Sequence, residues 1–248
     1  MRAWIGFTLA FAMATTLEAR AADWYTGVPT DGPEKPTRPT VAIDMAIDGT
    51  SQSALSGALI ATIAPFAPLD ESGFRFRASG LGGKYSYTST TVGQVNGTLA
   101  EGSALLGYEW VSKKVDVAVY GGADIMDTSI SPNDPNNTVK GMHAGFKIGA
   151  DMYATPTDTT MVSGVLYYST NHNAYYGRLK FGMAFADHVY VGPEVLALGD
   201  SFFQQFRVGA HVSGFKLGDV QFGVSGGYLH DKVRGSGAYG ILESRVTF

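Results

Sequence analysis

The chain contains no cysteine. That removes disulfide bridges, thiol nucleophiles and thiolate metal sites together. At 248 residues it is long enough to bury a core without cross-links. Charged residues make up only 16%, and there is no basic run, so nucleic acid is not an expected partner. Beyond the N-terminal segment no stretch of about 20 residues is free of polar interruption, which argues against a membrane-spanning helix. The nearest approach, residues 54–69, is broken by Ser56, Gly57, Thr62, Pro65 and Pro68. Chemistry-bearing constellations are also scarce. No carboxylate pair stands out at catalytic spacing, and His143, His172, His188, His211 and His230 fall at no metal-ligand spacing. The expected protein is therefore not an enzyme and carries no cofactor or metal. A lipid or glycan hydrolase working at the rim of the molecule is the remaining catalytic alternative.

What is present begins with the N-terminus. Arg2 supplies a positive charge, Trp4 to Ala14 is an apolar run too short to span a bilayer, and Ala19-Arg20-Ala21 is a small-x-small site. This pattern predicts a secretory signal peptide over residues 1–21, cut after Ala21. Removing Arg2, Arg20 and Glu18 leaves 16 cations against 21 carboxylates, a mildly acidic mature chain. Residues 22–39 contain Pro29, Pro33, Pro36 and Pro39 with Gly27 and Gly32, and read as an extended periplasmic linker. Residues 40–248 show no further shift of composition and read as one domain.

That domain is organised by alternation. "VAIDMAID" places Val41, Ile43, Met45 and Ile47 opposite Asp44 and Asp48. "FRFRAS" alternates Phe74 and Phe76 with Arg75 and Arg77. "YYGRLKFGMAF" sets Leu179, Phe181, Met183 and Phe185 against Arg178 and Lys180, and "QQFRVGAHVSG" sets Phe206, Val208 and Val212 against Arg207 and His211. About twelve such runs occur, each near the ~9–11 residues with which a tilted strand crosses a bilayer. Their glycines and β-branched residues oppose helix. The joints alternate too. Those at residues 112–114, 155–158, 186–188 and 216–219 are short. On the other side stand "DTSISPNDPNNTV", the stretch 80–97 and "DKVRGSG", read as longer loops. An even strand count with short turns on one side predicts a transmembrane antiparallel up-and-down β-barrel, with both termini in the periplasm of a Gram-negative bacterium.

Alternation alone does not decide which face meets what. In a small soluble barrel the apolar face points inward. Here the strand number, the export signal and the final aromatic favour the inverse. An interior this wide is poorly filled by Val and Leu. Turning Arg75, Arg77, Arg178, Lys180 and Arg207 toward lipid, at roughly 2–4 kcal/mol each near the midplane, would cost on the order of 10 kcal/mol or more. Phe248, with Val246 and Leu242 at even offsets, then meets lipid at the periplasmic rim and offers a recognition strand to the outer-membrane barrel assembly machinery.

The wording of several segments resembles a known family. "LLGYEWV", "FRFRASGLGGKYSYTST", "SPNDPNNTVKGMHAGFKIGADM", "LYYSTNHNAYYGRLKFG" and "VGPEVLALGDSFFQQFRVGAHVSGF" are similar to stretches of the cellulose biosynthesis protein BcsS family. Phe203 stands where that family commonly shows Asp before the Gln pair. The resemblance spans about Val41 to Tyr228. It implies an outer-membrane component accompanying a cellulose synthase system, with cellulose or other synthase components as partners, and it carries over no catalytic residue. A general small-solute porin is the alternative.

Candidate lumen-lining residues are Arg75, Arg77, Glu101, Glu109, Asp124, Lys147, Asp151, Arg178, Lys180, Glu194, Arg207, His211, Glu243 and Arg245. Both signs are mixed, which suits an ion-pair network or a pore for neutral sugars. Arg75, Arg77 and Arg207 are expected to pair with neighbours such as Glu101, Glu109 and Glu194. Tyr85, Tyr87, Tyr175 and Tyr176 are candidate glycan contacts, an interfacial girdle being the plainer use of tyrosine. "SPNDPNN" is rich in Asx-turn formers and reads as a rigid surface loop, with a lumen constriction or a calcium site at Asp127, Asn133 and Asp134 as sharper alternatives.

Overall fold

The computed structural model of the chain describes residues 22–23, 28–29, 38–186 and 188–248. The expected signal peptide and most of the expected linker lie outside the described residues. Within the linker, β1 (Ala22–Asp23) pairs antiparallel with β2 (Val28–Pro29).

The remaining strands form one closed barrel. They are β3 (Val41–Thr50), β4 (Ala54–Ile63), β5 (Gly73–Ser89), β6 (Gly93–Val111), β7 (Val115–Ser131), β8 (Gly141–Thr157), β9 (Thr160–Ser169), β10 (Tyr175–Ala186), β11 (Val189–Gly199), β12 (Gln204–Leu217), β13 (Val220–Asp231) and β14 (Gly235–Thr247). Each pairs antiparallel with its neighbour in sequence, and β14 returns to β3 from Thr247↔Ala42 to Tyr239↔Thr50. An even number of strands brings both chain ends of the barrel to one side, where Thr40 N–H donates to Phe248 O at 2.7 Å. That side is called the terminal end below. Tight hairpins close most of the joints. Leu217 and Val220 are bridged by Gly218-Asp219, with Gly218 at φ +63°, a left-handed conformation that glycine adopts without strain.

Side-chain alternation resolves into an inverted barrel. Met45, Leu59, Phe76, Leu106, Ile148, Leu179, Phe206, Val208 and Leu242 are exposed on the outer wall, while Arg75, Arg77, Lys180, Glu194 and Glu243 are buried inside. An apolar belt around a charged interior is the arrangement that hydrocarbon demands, since a β-barrel satisfies every backbone group between strands and lipid must meet only apolar side chains. Among the described residues no helix is long and apolar enough to cross a membrane.

Three local readings are corrected. The stretch 80–97 is not a long loop: it is the upper part of β5 and β6, joined only by residues 90–92, and "DKVRGSG" is likewise mostly strand, with only residues 232–234 joining β13 to β14. Conversely, the terminal end carries a long connection that alternation did not reveal, residues 64–72. It folds against the barrel. Ala64 N–H donates to Thr40 O and Leu69 N–H to Pro39 O, both at 2.8 Å, and Leu69 packs with Ala64 on the inward Ala42. Arg75 fixes the loop from within, donating to the carbonyls of Pro68, Leu69 and Glu71.

The barrel is also lopsided. β5 to β8 run 17–19 residues, against 10 in β3 and β4. Because Ile63 is level with Phe76 and Leu55 with Lys84, β5 overhangs β4 at both ends, by Gly73–Arg75 at the terminal end and by Tyr85–Ser89 at the far end. The far-end overhang forms a wall on one side of the mouth.

Candidate functional site

The inward charges fall into compact groups, some across adjacent strands and some joining strands several places apart. Arg178 on β10 donates to Glu194 on β11 through Nε and Nη2, at 3.0 and 2.6 Å, and to Glu243 on β14. Lys180 reaches the other oxygen of Glu243 at 2.7 Å, and Tyr239 Oη donates to Glu194 at 2.6 Å. Two cations thus meet two carboxylates, and every carboxylate oxygen accepts at least one bond, which is what buried charges require. On the opposite wall Arg77 donates to Asp151 at 2.6 Å, to Thr62 at 3.1 Å, to Tyr120 at 2.8 Å and to Tyr167, with its guanidinium 3.8 Å from the Tyr120 ring. Toward the terminal end Arg75 pairs with Glu109 at 2.6 Å and Arg245 with Asp44 at 3.3 Å. Toward the far end Arg207 pairs with Asp48 at 2.8 Å and Lys147 with Glu101.

The structure places each inward candidate named from the sequence on the lumen side. Their pairings differ in part from expectation. Arg75 takes Glu109, but Arg77 takes Asp151, Arg207 takes Asp48, and Glu101 and Glu194 go to Lys147 and Arg178. Asp124 accepts from Ser169 at 2.7 Å. His211 is buried, with Nδ1 against Ser213 Oγ at 2.8 Å and Nε2 against Phe181 O at 3.1 Å. The tight burial is decisive: Arg75, Lys180, Glu194 and Glu243 are each at most 1% exposed. Side chains lining an open aqueous channel would be wet, so the middle of this lumen is filled.

Sequence reading missed Asp44 and Asp48 as pairing partners, and it missed a recurrent use of glycine. An inward tyrosine lies against an inward glycine on the paired strand at Tyr85/Gly97, Tyr120/Gly107 and Tyr167/Gly149, where an added Cβ would stand 2.2–2.4 Å from the ring. The signal was readable, since Tyr and Gly are frequent and in register, but only once the pairing is known. Gly223-Val224-Ser225-Gly226-Gly227 matches G-x-S-x-G, yet it sits inside β13 rather than on a strand-to-helix turn. Ser225 Oγ accepts from Arg178 at 2.7 Å, so it belongs to the ion network.

Above the filled zone the far end opens into a vestibule of about 230 Å³. The four tyrosines chosen from sequence, Tyr85, Tyr87, Tyr175 and Tyr176, all line it, together with Phe202, Phe203, Leu81, Leu99, Met126 and Val139. Tyr85 and Tyr87 stack with centroids 6.3 Å apart and planes at 18°, and Phe202 packs on Tyr87 at 5.1 Å. The "SPNDPNN" loop bends inward to hold this wall. Tyr87 Oη donates to Asp134 at 3.1 Å and accepts from Asn137 at 3.1 Å, while Val139 is buried. Asp134 is thereby committed to the loop and Tyr87. Across the mouth Asp200 accepts from the N–H groups of Phe202 and Phe203, and burial raises its carboxyl above the ordinary range. On the rim His143 and His172 meet edge to face at 4.4 Å. Burial and then His143 lower the pKa of His172. Among the described residues no three His, Cys, Asp or Glu cluster as a metal site would require.

Charges sealed inside, an apolar belt outside and a closed sheet without a free edge define the class: a membrane-spanning β-barrel of the outer-membrane kind. The family model for cellulose biosynthesis protein BcsS matches residues 42–248, and the chain belongs to that family. Solved barrels of similar form include the KdgM porin (11% identity, 84% of this chain and 99% of that one, TM-score 0.45). Others are the β domain of the Bordetella autotransporter BrkA (14%, 86% and 100%, 0.48) and Pseudomonas putida OprB (10%, 85% and 92%, 0.36). Identities this low say nothing about what the lumen holds. No match is found among curated proteins.

Proposed function

We propose that the protein is a non-catalytic outer-membrane barrel that serves cellulose biosynthesis at the cell surface, with its vestibule outward and its terminal end in the periplasm. Membership of the family supplies the process. The observation that carries the mode of action is the filled lumen. Arg75, Arg77, Lys180, Glu194 and Glu243 are buried between the vestibule and the 64–72 loop, and each is bonded to another lumen side chain. This supports a role in organising glucan outside the membrane, or in docking other synthase components, over a role as a conduit. It also weighs against a general small-solute porin, which needs water along its axis.

In this reading residues 1–21 direct export and are removed, and residues 22–39 lie in the periplasm. Phe248 presents the closing strand to the assembly machinery, and the outer wall contacts membrane lipid. The test is a clean deletion scored for surface cellulose, with the purified barrel recorded in planar bilayers. Reduced or disordered surface cellulose and little steady conductance are expected. Unaltered cellulose together with sustained conductance would overturn the reading in favour of a porin.

A further inference from the structure

We infer that the far-end vestibule is a binding site for the end of a neutral β-linked glucan, seated on the free face of Tyr85. The inference rests on the reading that the barrel serves cellulose biosynthesis, and it adds the site and the mode of recognition.

Three features of the vestibule define the ligand. The first is a flat, fixed aromatic surface. Tyr85 lies across Gly97 on the paired strand, so one side of its ring is set against the wall and the other meets the cavity. Tyr87 stacks beside it and is itself held by Phe202, Asp134 and Asn137. A platform locked before binding loses little freedom when a ligand arrives. The C–H faces of a glucosyl ring are the natural complement to such a surface.

The second feature is charge that is present but cancelled. Around the cavity Asp48 is paired with Arg207 at 2.8 Å, Asp231 with Arg234 at 2.7 Å, and Glu101 with Lys147, and the two other charged lining residues, Lys84 and Asp200, are of opposite sign. Paired groups offer donors and acceptors to hydroxyls without a net field for an ion, which favours a neutral polyol. The third is size and closure. About 230 Å³ is below the roughly 300–1,000 Å³ of sites that enclose drug-sized ligands. With the lumen filled beneath, the cavity holds the end of a chain and not its middle. A β-1,4 chain is flat and extended and lies on one aromatic plane, whereas an α-1,4 chain curves away from it.

The experiment uses the purified full barrel in lipid nanodiscs, titrated with cellotetraose, with maltotetraose and with octyl glucoside, and read by calorimetry and saturation-transfer NMR. Cellotetraose is expected to bind saturably, and maltotetraose about tenfold more weakly or not at all. Tyr85→Phe keeps the platform and the affinity. Tyr85→Leu keeps the wall packed but removes the flat face, and weakens cellotetraose by about tenfold. Gly97→Ala displaces the ring and has the same direction of effect. Each variant is checked for heat-modifiable folded barrel. No saturable cellotetraose binding by the native barrel, equal binding by Tyr85→Leu, or a preference for octyl glucoside through its alkyl chain would each overturn the inference. Cellotetraose binding with normal surface cellulose in the deletion strain would leave the site standing and remove the functional reading. Lost surface cellulose without cellotetraose binding would do the reverse.

Discussion

Replacing Arg178 with Met tests whether the lumen is a sealed interior or a wet channel. Arg178 makes two bonds to Glu194, one to Glu243 and one to Ser225, with Glu194 and Glu243 both buried. Met fills much of the volume but removes the charge. Lys180 then faces Glu243 at 2.7 Å, and Glu194 keeps only the Tyr239 hydroxyl at 2.6 Å among the contacts described. Breaking a buried pair by deleting one partner costs about 3–5 kcal/mol. That is roughly two to nearly four orders of magnitude in the folding equilibrium, and a large share of the 5–15 kcal/mol typical of a folded domain. The double change Arg178→Met with Glu194→Gln removes both members of one pair and leaves Lys180–Glu243 intact, so it should recover much of the loss. The assay is urea unfolding of the detergent-purified barrel, followed by loss of heat-modifiable mobility, beside planar-bilayer recording. The expected order of resistance is wild type, then the double variant, then Arg178→Met, with no new ion-selective conductance. Wild-type unfolding of Arg178→Met combined with altered ion selectivity would mean that these charges are solvated and that the filled lumen is wrong.

Sidedness is checked by single-cysteine labelling, for which a cysteine-free chain is a clean background. Asn136→Cys in the exposed far-end loop should react with an impermeant maleimide on intact cells and Lys113→Cys should not, and the reverse pattern would invert the barrel. Phe248→Ala should slow appearance of folded barrel in cells, because the exposed ring sits on the closing strand whose backbone pairs with Val41; an unchanged rate would separate Phe248 from assembly. The rim should respond to acid. His172 has a folded pKa below its ordinary value of 6.5, so its unfolded form binds protons more readily, and stability is lost as pH falls below that value. His172→Asn, which tolerates the φ of +52° there, should flatten this fall, and parallel pH curves for the two proteins would rule the histidine out.

Much of the architecture was legible in the chain because the period-two pattern is a statement about faces. Arg75 and Arg77 between Phe74 and Phe76, or Arg178 and Lys180 beside Leu179 and Phe181, have one tolerable orientation once the outside is hydrocarbon. The count of runs and the inverted interior followed from that. Partner identity did not follow. Arg77 meets Asp151 from 74 positions away and Arg207 meets Asp48 from 159, each pair three strands apart around the barrel. An inward side chain reaches across several strands, so its partner depends on the tilt and stagger with which the sheet closes, and no local pattern encodes those. The stretch 80–97 misled for a related reason: glycine, serine and threonine look like loop in isolation, but inter-strand hydrogen bonds and the tyrosines laid over glycines hold them as strand. The packing of residues 64–72 depends on Ala64 and Leu69 donating to the carbonyls of Thr40 and Pro39, which lie 24 and 30 positions back and come close only when β3 and β4 pair in the barrel wall. The sequence determined which side of each strand meets lipid, and closure of the sheet decided which groups meet on the other.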